Sequence, residues 1–403
     1  MSRPFRRRVL YIPGYDPMPP RRYRELYKRE GTEQARISGY SLSFGPRRDR
    51  TGFGWGVSGN FDGRATEAEF EVLVWADLVQ RSMGRSIPAT YGQLFRTAWA
   101  YIGSGALWRL MRLRRGPVIA ALYPIVVLVM QAALALMVAL GIVWLVAQAL
   151  PWWAGLVPAL AVAWAILAAF RRADGRFFAY YLMHDYAFTA QDGGTYPPAL
   201  EAQIARFADR IAAVLNGEWD EVLVVGHSSG SYLAVSVLAD LIRSGRARAD
   251  GRLALLTLGH VVPMAASLPR ADRLRDDLRF LAARPEVDWV DVTAPGDACC
   301  FGLCDPVAVA GDDPPGRRGP LVLSAAFTQT LSPQRRRALR GRWFRLHFQY
   351  LCAFDRPGAY DYFAVTAGPL RLAERFKGRS HSPGRITRSA APPTRRRLAG
   401  TAP

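Results

Sequence analysis

The chain has 403 residues and a formal net charge of +20, yet all but two of its 53 basic residues are arginine; Lys28 and Lys377 are the exceptions. That skew, beside abundant Ala and Gly and only two asparagines (Asn60, Asn216), reads as base composition. No recognition-helix or zinc-finger pattern accompanies it, so no nucleic-acid partner is expected. The four cysteines (Cys299, Cys300, Cys304, Cys352) lack paired metal spacing and are too bunched for a disulfide framework, which points to a reducing compartment and to no metal site.

Arg3, Arg6, Arg7 and Arg8 imitate the start of a signal peptide, but the apolar run Val9-Leu10-Tyr11-Ile12 is stopped at once by Pro13-Gly14. Arg8 to Ile12 therefore reads as a strand, followed by a loop through Tyr15 and Asp16. A charged helix is expected over 19–31, and strands over 38–45 and 66–77. Between these strands Gly54-Trp55-Gly56-Val57-Ser58-Gly59 has the letters of a dinucleotide fingerprint without its strand–helix context. It reads as a glycine-rich loop, and no cofactor is expected. Residues 89–113 read as one helix that grows more basic toward its end.

From Gly116 to Phe170 no residue is charged. The run divides at Ala149-Leu-Pro-Trp-Trp-Ala-Gly155, and each half is long enough to span a bilayer, which takes about 20 residues. Arginines flank both outer ends (Arg109, Arg112, Arg114, Arg115; Arg171, Arg172, Arg176), so the positive-inside rule puts both ends on the cytoplasmic side. The expectation is a two-span hairpin (116–171) in the inner, or plasma, membrane. It is inserted between the N-terminal (1–115) and C-terminal (172–377) parts of one cytoplasmic domain, with both termini cytoplasmic.

After an aromatic stretch holding His184, an amphipathic helix (about 198–216) leads into the buried strand Val222-Leu-Val-Val. Gly226-His227-Ser228-Ser229-Gly230 follows, and then apolar residues at helical spacing (Leu233, Val237, Leu238, Leu241). A serine on such a sharp strand-to-helix turn is lifted above the sheet edge, where backbone N–H groups can stabilise an oxyanion. Further strands are expected at 253–259, 287–293 and 320–327, with a charged helix at 270–283. The alternation argues an α/β fold with a mostly parallel sheet covered on both faces. The arginine-rich stretch from Arg335 to Arg342 reads as a solvated helix face or a contact with anionic headgroups. The tail from Gly378, rich in Ser, Pro, Arg and Gly, reads as disordered over 378–403.

Gly226-x-Ser228-x-Gly230 in this setting resembles the nucleophile elbow of the α/β-hydrolase superfamily of lipases, esterases, thioesterases and acyltransferases. The resemblance implies a serine hydrolase with Ser228 as nucleophile. An acid is then expected after a later strand, which matches Asp297 in Ala294-Pro-Gly-Asp297, with Asp305 as second choice. A histidine should come last, which matches His347, with His260 and His184 as alternatives and His227 as a packing residue. It also implies an oxyanion hole from the N–H groups of Tyr15 and Ser229. No cofactor is implied. A membrane-tethered enzyme of this kind would cleave an ester or thioester of lipid or acyl substrates; transfer of the acyl group, or a catalytically inactive interaction module, are the alternatives. Family lids usually follow the strand after the elbow, whereas this insertion precedes the elbow.

Overall fold

In the computed structural model, which describes residues 3–49, 51–84, 86–311 and 313–392, the β-branched and aromatic runs form one eight-stranded sheet in an α/β architecture. In chain order the first elements are β1 (Phe5–Ile12), α1 (Arg21–Ser38), β2 (Ser41–Gly45), β3 (Phe53–Phe61) and β4 (Arg64–Val72). Helices α2 (Ile87–Gly103), α3 (Ala106–Leu113), α4 (Arg115–Val146), α5 (Leu156–Arg172), α6 (Ala179–Ala190) and α7 (Pro198–Leu215) follow. Then come β5 (Glu221–His227), α8 (Gly230–Arg243), β6 (Leu253–Leu258), α9 (Asp272–Ala282), β7 (Asp288–Thr293), β8 (Leu321–Ser324), α10 (Pro333–Leu339) and α11 (Trp343–His347).

The strand order is β2-β3-β4-β1-β5-β6-β7-β8. The sheet is mixed: β3 runs against both its neighbours, while the remaining pairings are parallel. Strands from both sides of the apolar insertion meet where β1 pairs with β5. Alternate side chains of a strand point to opposite faces, and two cores result. Leu10, Ile12, Val222, Val224 and Leu255 pack under α7, α8 and α9. Val9, Tyr11, Leu223, Val225 and Leu256 pack against α1 and the segment 350–376.

Three expectations are corrected. The glycine-rich stretch 54–59 is strand β3 rather than a loop. Its glycines answer to crowding, since a Cβ on Gly54 would stand 1.9 Å from the Phe70 carbonyl oxygen. The single helix over 89–113 is two, broken where Gly105 takes φ +70°. Finally, residues 378–392 follow a pinned, irregular path instead of being disordered. Ser382 N–H donates to the Val322 carbonyl at 2.9 Å, beside edge strand β8, and Ile386 N–H donates to that of Leu303 at 2.8 Å. Backbone pairing of this kind needs no apolar side chains, so composition alone misses it. Residues 393–403 of that expected tail lie outside the described residues.

Two of the three arginines of β1, Arg7 and Arg8, are interior groups. Arg7 Nε donates to Glu221 at 2.5 Å, and Arg8 reaches Glu69 at 2.6 Å and Glu71 at 2.5 Å, with both guanidinium groups buried. Removing one partner of a buried pair strands the other charge, at a cost of about 3–5 kcal/mol. Glu221→Ala is therefore expected to lower the thermal unfolding midpoint of the protein sharply. Glu218→Ala, which removes an exposed carboxylate 4.0 Å from half-buried Arg6, should leave it nearly unchanged.

Helix α4 and the helical segment Trp152–Arg172, which ends in α5, are long and apolar enough to cross a membrane. They pack on each other, while Met130, Trp144, Val157 and Leu160 stand exposed. At 1.5 Å per residue α4 is ~48 Å long, more than the ~30 Å of a hydrocarbon core, and its first turns pack on the domain. There Leu128 is buried among Ala179, Tyr180 and Met183 of α6, and Tyr91 donates to the Leu128 carbonyl at 2.9 Å. Arg109 and Arg114, just before α4, donate to the carbonyls of Ser267 and Gly302, each at 2.9 Å. The hairpin is thus fastened to the sheet domain at its foot.

Candidate active site

Every residue of β5 is buried, so the chain must turn sharply where the strand leaves the sheet. Ser228 takes φ +57° at that turn, a strained conformation for a side-chain-bearing residue. Its N–H is anchored to the Leu258 carbonyl at 2.9 Å. A Cβ on Gly230 would lie 2.2 Å from the Ile12 carbonyl oxygen, so only glycine lets α8 begin this close to the end of β1. The loop after β1 passes over the serine: a Cβ on Gly14 would be 3.4 Å from Ser228 Oγ. Trp75 Nε1 holds that loop by donating to the Pro13 carbonyl at 2.9 Å. The Tyr15 hydroxyl pairs with Ser82 Oγ at 2.7 Å, and its carbonyl accepts from the Tyr181 hydroxyl. The N–H groups of Tyr15 and Ser229 meet no acceptor among the described residues.

Asp297 sits in the loop after β7 and is buried. Its Oδ2 lies 2.7 Å from His347 Nδ1, at the end of α11, and accepts from the Tyr350 hydroxyl at 3.1 Å. Its Oδ1 accepts from Cys299 N–H at 2.9 Å. Burial alone would push this carboxyl up, but the His347 charge and these hydrogen bonds outweigh it and hold Asp297 below the usual aspartate value. His347 Nε2 is buried without a hydrogen-bond partner among the described residues. His347 and Ser228 line one cavity of about 420 Å3, whose other walls include Tyr15, Arg22, Tyr181, Asp185 and Phe344. Tyr350 escaped the sequence reading; the only signal was its place three residues after His347.

Asp297, Cys299 and His347 also cluster closely enough to suggest an ion. Two ligands of one tetrahedral zinc stand about 3.3 Å apart by the usual bond lengths. At 2.7 Å the Asp297–His347 contact is hydrogen-bonded geometry instead. Burial also raises the Cys299 thiol well above its ordinary value, which disfavours the thiolate a metal needs.

The alternative residues have other work. His260 Nε2 lies 2.9 Å from the Cys304 carbonyl, and burial lowers its pKa to about 4. His184 is turned to Gln93, with Nδ1 2.7 Å from Oε1, and burial likewise lowers it to about 4. His227 packs its ring 4.8 Å from that of His347 and bonds the His347 carbonyl at 3.1 Å through Nε2. Asp305 is consumed by Arg317 at 2.5 Å, Arg385 at 2.8 Å and the N–H groups of Val307 and Ala308.

One cavity group carries no signature in the sequence. In His184-Asp185-Tyr186 the histidine is the more conspicuous residue, but successive helical residues diverge by about 100°. It is Asp185, in register with Phe178, Tyr181 and Thr189 at spacings of three and four, that lines the cavity. Half-buried, it makes no hydrogen bond or ion pair among the described residues. Burial raises its pKa to about 7, against the pull of the His347 charge. The folded state therefore holds a proton between pH 4 and 7 that the unfolded chain releases, so this group subtracts stability as pH rises through that window. Asp185→Asn is expected to stabilise the protein at pH 8, by on the order of 2 kcal/mol, and not at pH 4. Paired thermal melts at the two pH values check this.

Comparison with protein-family models, curated proteins and solved structures finds no match.

Proposed function

We propose that this chain is a membrane-tethered serine hydrolase of α/β-hydrolase type, acting on an ester or thioester. The observation that carries the reading is the pairing of a strained serine with a histidine whose Nε2 lacks a partner, both in one cavity, the histidine being held from behind by a buried carboxylate. Asp297 fixes the tautomer with the proton on Nδ1, leaving Nε2 as base. His347 takes the Ser228 hydroxyl proton as Oγ attacks the acyl carbonyl. The N–H groups of Tyr15 and Ser229 receive the developing oxyanion. Collapse expels the alcohol or thiol, which takes the proton back from His347, and leaves an acyl-serine. Water, deprotonated by the same imidazole, then releases the acid and restores Ser228. An alcohol in place of water gives acyl transfer with the same groups.

The two apolar helices support a tether in the inner membrane, and the arginines at both outer ends support a cytoplasmic domain. Helix α6, which follows the hairpin directly, supplies the cavity wall from Tyr181 to Thr189. That placement favours lipid or long acyl substrates delivered from the bilayer and gives the insertion a lid-like position.

The test is reaction of the detergent-solubilised protein with a fluorophosphonate, followed by peptide mapping. A stoichiometric adduct on Ser228 is expected. Folded protein that stays unmodified would favour the inactive interaction module, and an adduct on another serine would move the site. Product analysis with water and an added alcohol then separates hydrolysis from transfer.

A further inference from the structure

A second cavity, of about 540 Å3, lies on the other side of the helix that carries His347. Trp343 and Leu346 of α11 line this groove, whereas Phe344 and His347 line the cavity of Ser228, so α11 is the wall between them. The floor is apolar, with Leu339 beside Leu346 and Trp343, and Arg336, Arg337 and Arg340 stand at its rim. From Leu331 to Tyr350 there are six arginines and no acidic residue. Arg335 is paired with Glu30 at 3.4 Å. The three rim arginines are exposed and have no carboxylate at ion-pair distance among the described residues. An apolar trough and three arginines without a carboxylate partner among the described residues occur together here.

The groove's place in the fold names its occupant. Trp343 packs edge-on against Tyr123, centroids 5.9 Å apart, and Tyr123 belongs to the first turns of α4. Phe344 packs against Phe178, just after the hairpin, at 4.9 Å. The groove therefore opens beside the foot of the two apolar helices. A solvated charged face would need no apolar floor.

We infer that this groove is a binding site for an anionic phospholipid of the bilayer, separate from the substrate cavity. Its phosphate pairs with Arg336, Arg337 and Arg340, and the glycerol and upper acyl segment lie on Trp343, Leu339 and Leu346. The inference rests on the membrane reading of α4 and α5 but not on the hydrolase reading.

Full-length protein reconstituted into phosphatidylcholine vesicles, with tail-fluorescent phosphatidylglycerol or tail-fluorescent phosphatidylcholine as tracer, tests it by energy transfer from tryptophan. Wild type is expected to enrich phosphatidylglycerol around itself. The triple variant Arg336→Gln, Arg337→Gln, Arg340→Gln should lose that preference by about tenfold or more, with its melting temperature unchanged. Equal transfer from both lipids in wild type, or full enrichment by the triple variant, overturns the site. Failure to incorporate into vesicles overturns both it and the membrane reading. Arginine-dependent enrichment by a protein that never reacts with fluorophosphonate would leave the lipid site standing and remove the hydrolase reading alone.

Discussion

Ser228→Ala is expected to abolish covalent labelling and to lower kcat/KM on a short acyl ester by roughly 10^5-fold. The magnitude follows from the role: without Oγ no acyl-enzyme forms, and what survives is the oxyanion site acting on attack by water. The substitution is suited to the purpose because the site is held by backbone and glycine contacts rather than by the hydroxyl. Ser228 N–H still reaches Leu258, and Gly14 and Gly230 still permit the close approach of the β1 loop. Alanine also keeps the strained φ of +57°. Ser228→Gly should be equally inactive yet more stable, by about 1–3 kcal/mol, because glycine pays no steric penalty there. Turnover and thermal melts on the two variants therefore separate the hydroxyl's chemistry from the turn's geometry. Substantial turnover by either would show that Ser228 is not the nucleophile.

The parts of this fold that were legible in the sequence are those governed by local pattern. The β-branched run Val222–Val225 ending in Gly226 announced β5 and the turn, and 55 uncharged residues between Gly116 and Phe170 announced the two apolar helices. What escaped depends on neighbours distant in the chain. Strand β3 looked like a loop because its glycines are there to admit the carbonyl of Phe70 and other groups of adjacent segments, and such crowding leaves no periodic trace. Nothing local marks Arg7 and Arg8 as interior groups, because Glu221, Glu69 and Glu71, which neutralise them, sit on other strands. Asp185 was passed over because only the orientation of α6 tells which of two adjacent polar residues faces the cavity. His347 was reached by chain order, without any local signature beyond its position after Asp297.

Asp297→Asn carries the second large expectation, a fall in kcat of about 10^4-fold with the fold retained. An amide at this position fits among the same three donors, but it presents an N–H to at least one of them. Cys299 N–H, the Tyr350 hydroxyl and His347 Nδ1 all converge on the carboxylate now. The amide also invites His347 into the tautomer that puts its proton on Nε2, where it cannot accept one from serine. Tyr350→Phe removes a single donor and should cost much less, roughly tenfold, because the carboxylate keeps its charge and its hold on Nδ1. The acid side of the profile sharpens the distinction. Asp297 is held below its ordinary value by His347 and its hydrogen bonds, so its favourable contribution is present above pH 4 and lost only as the pH falls through its lowered native value. A wild-type acid limb above pH 5 therefore does not belong to this carboxyl. Stopped assays of wild type, Asp297→Asn and Tyr350→Phe from pH 5 to 9 check the order. A Tyr350→Phe enzyme as impaired as Asp297→Asn would mean that the hydroxyl, rather than the charge, is what orients His347.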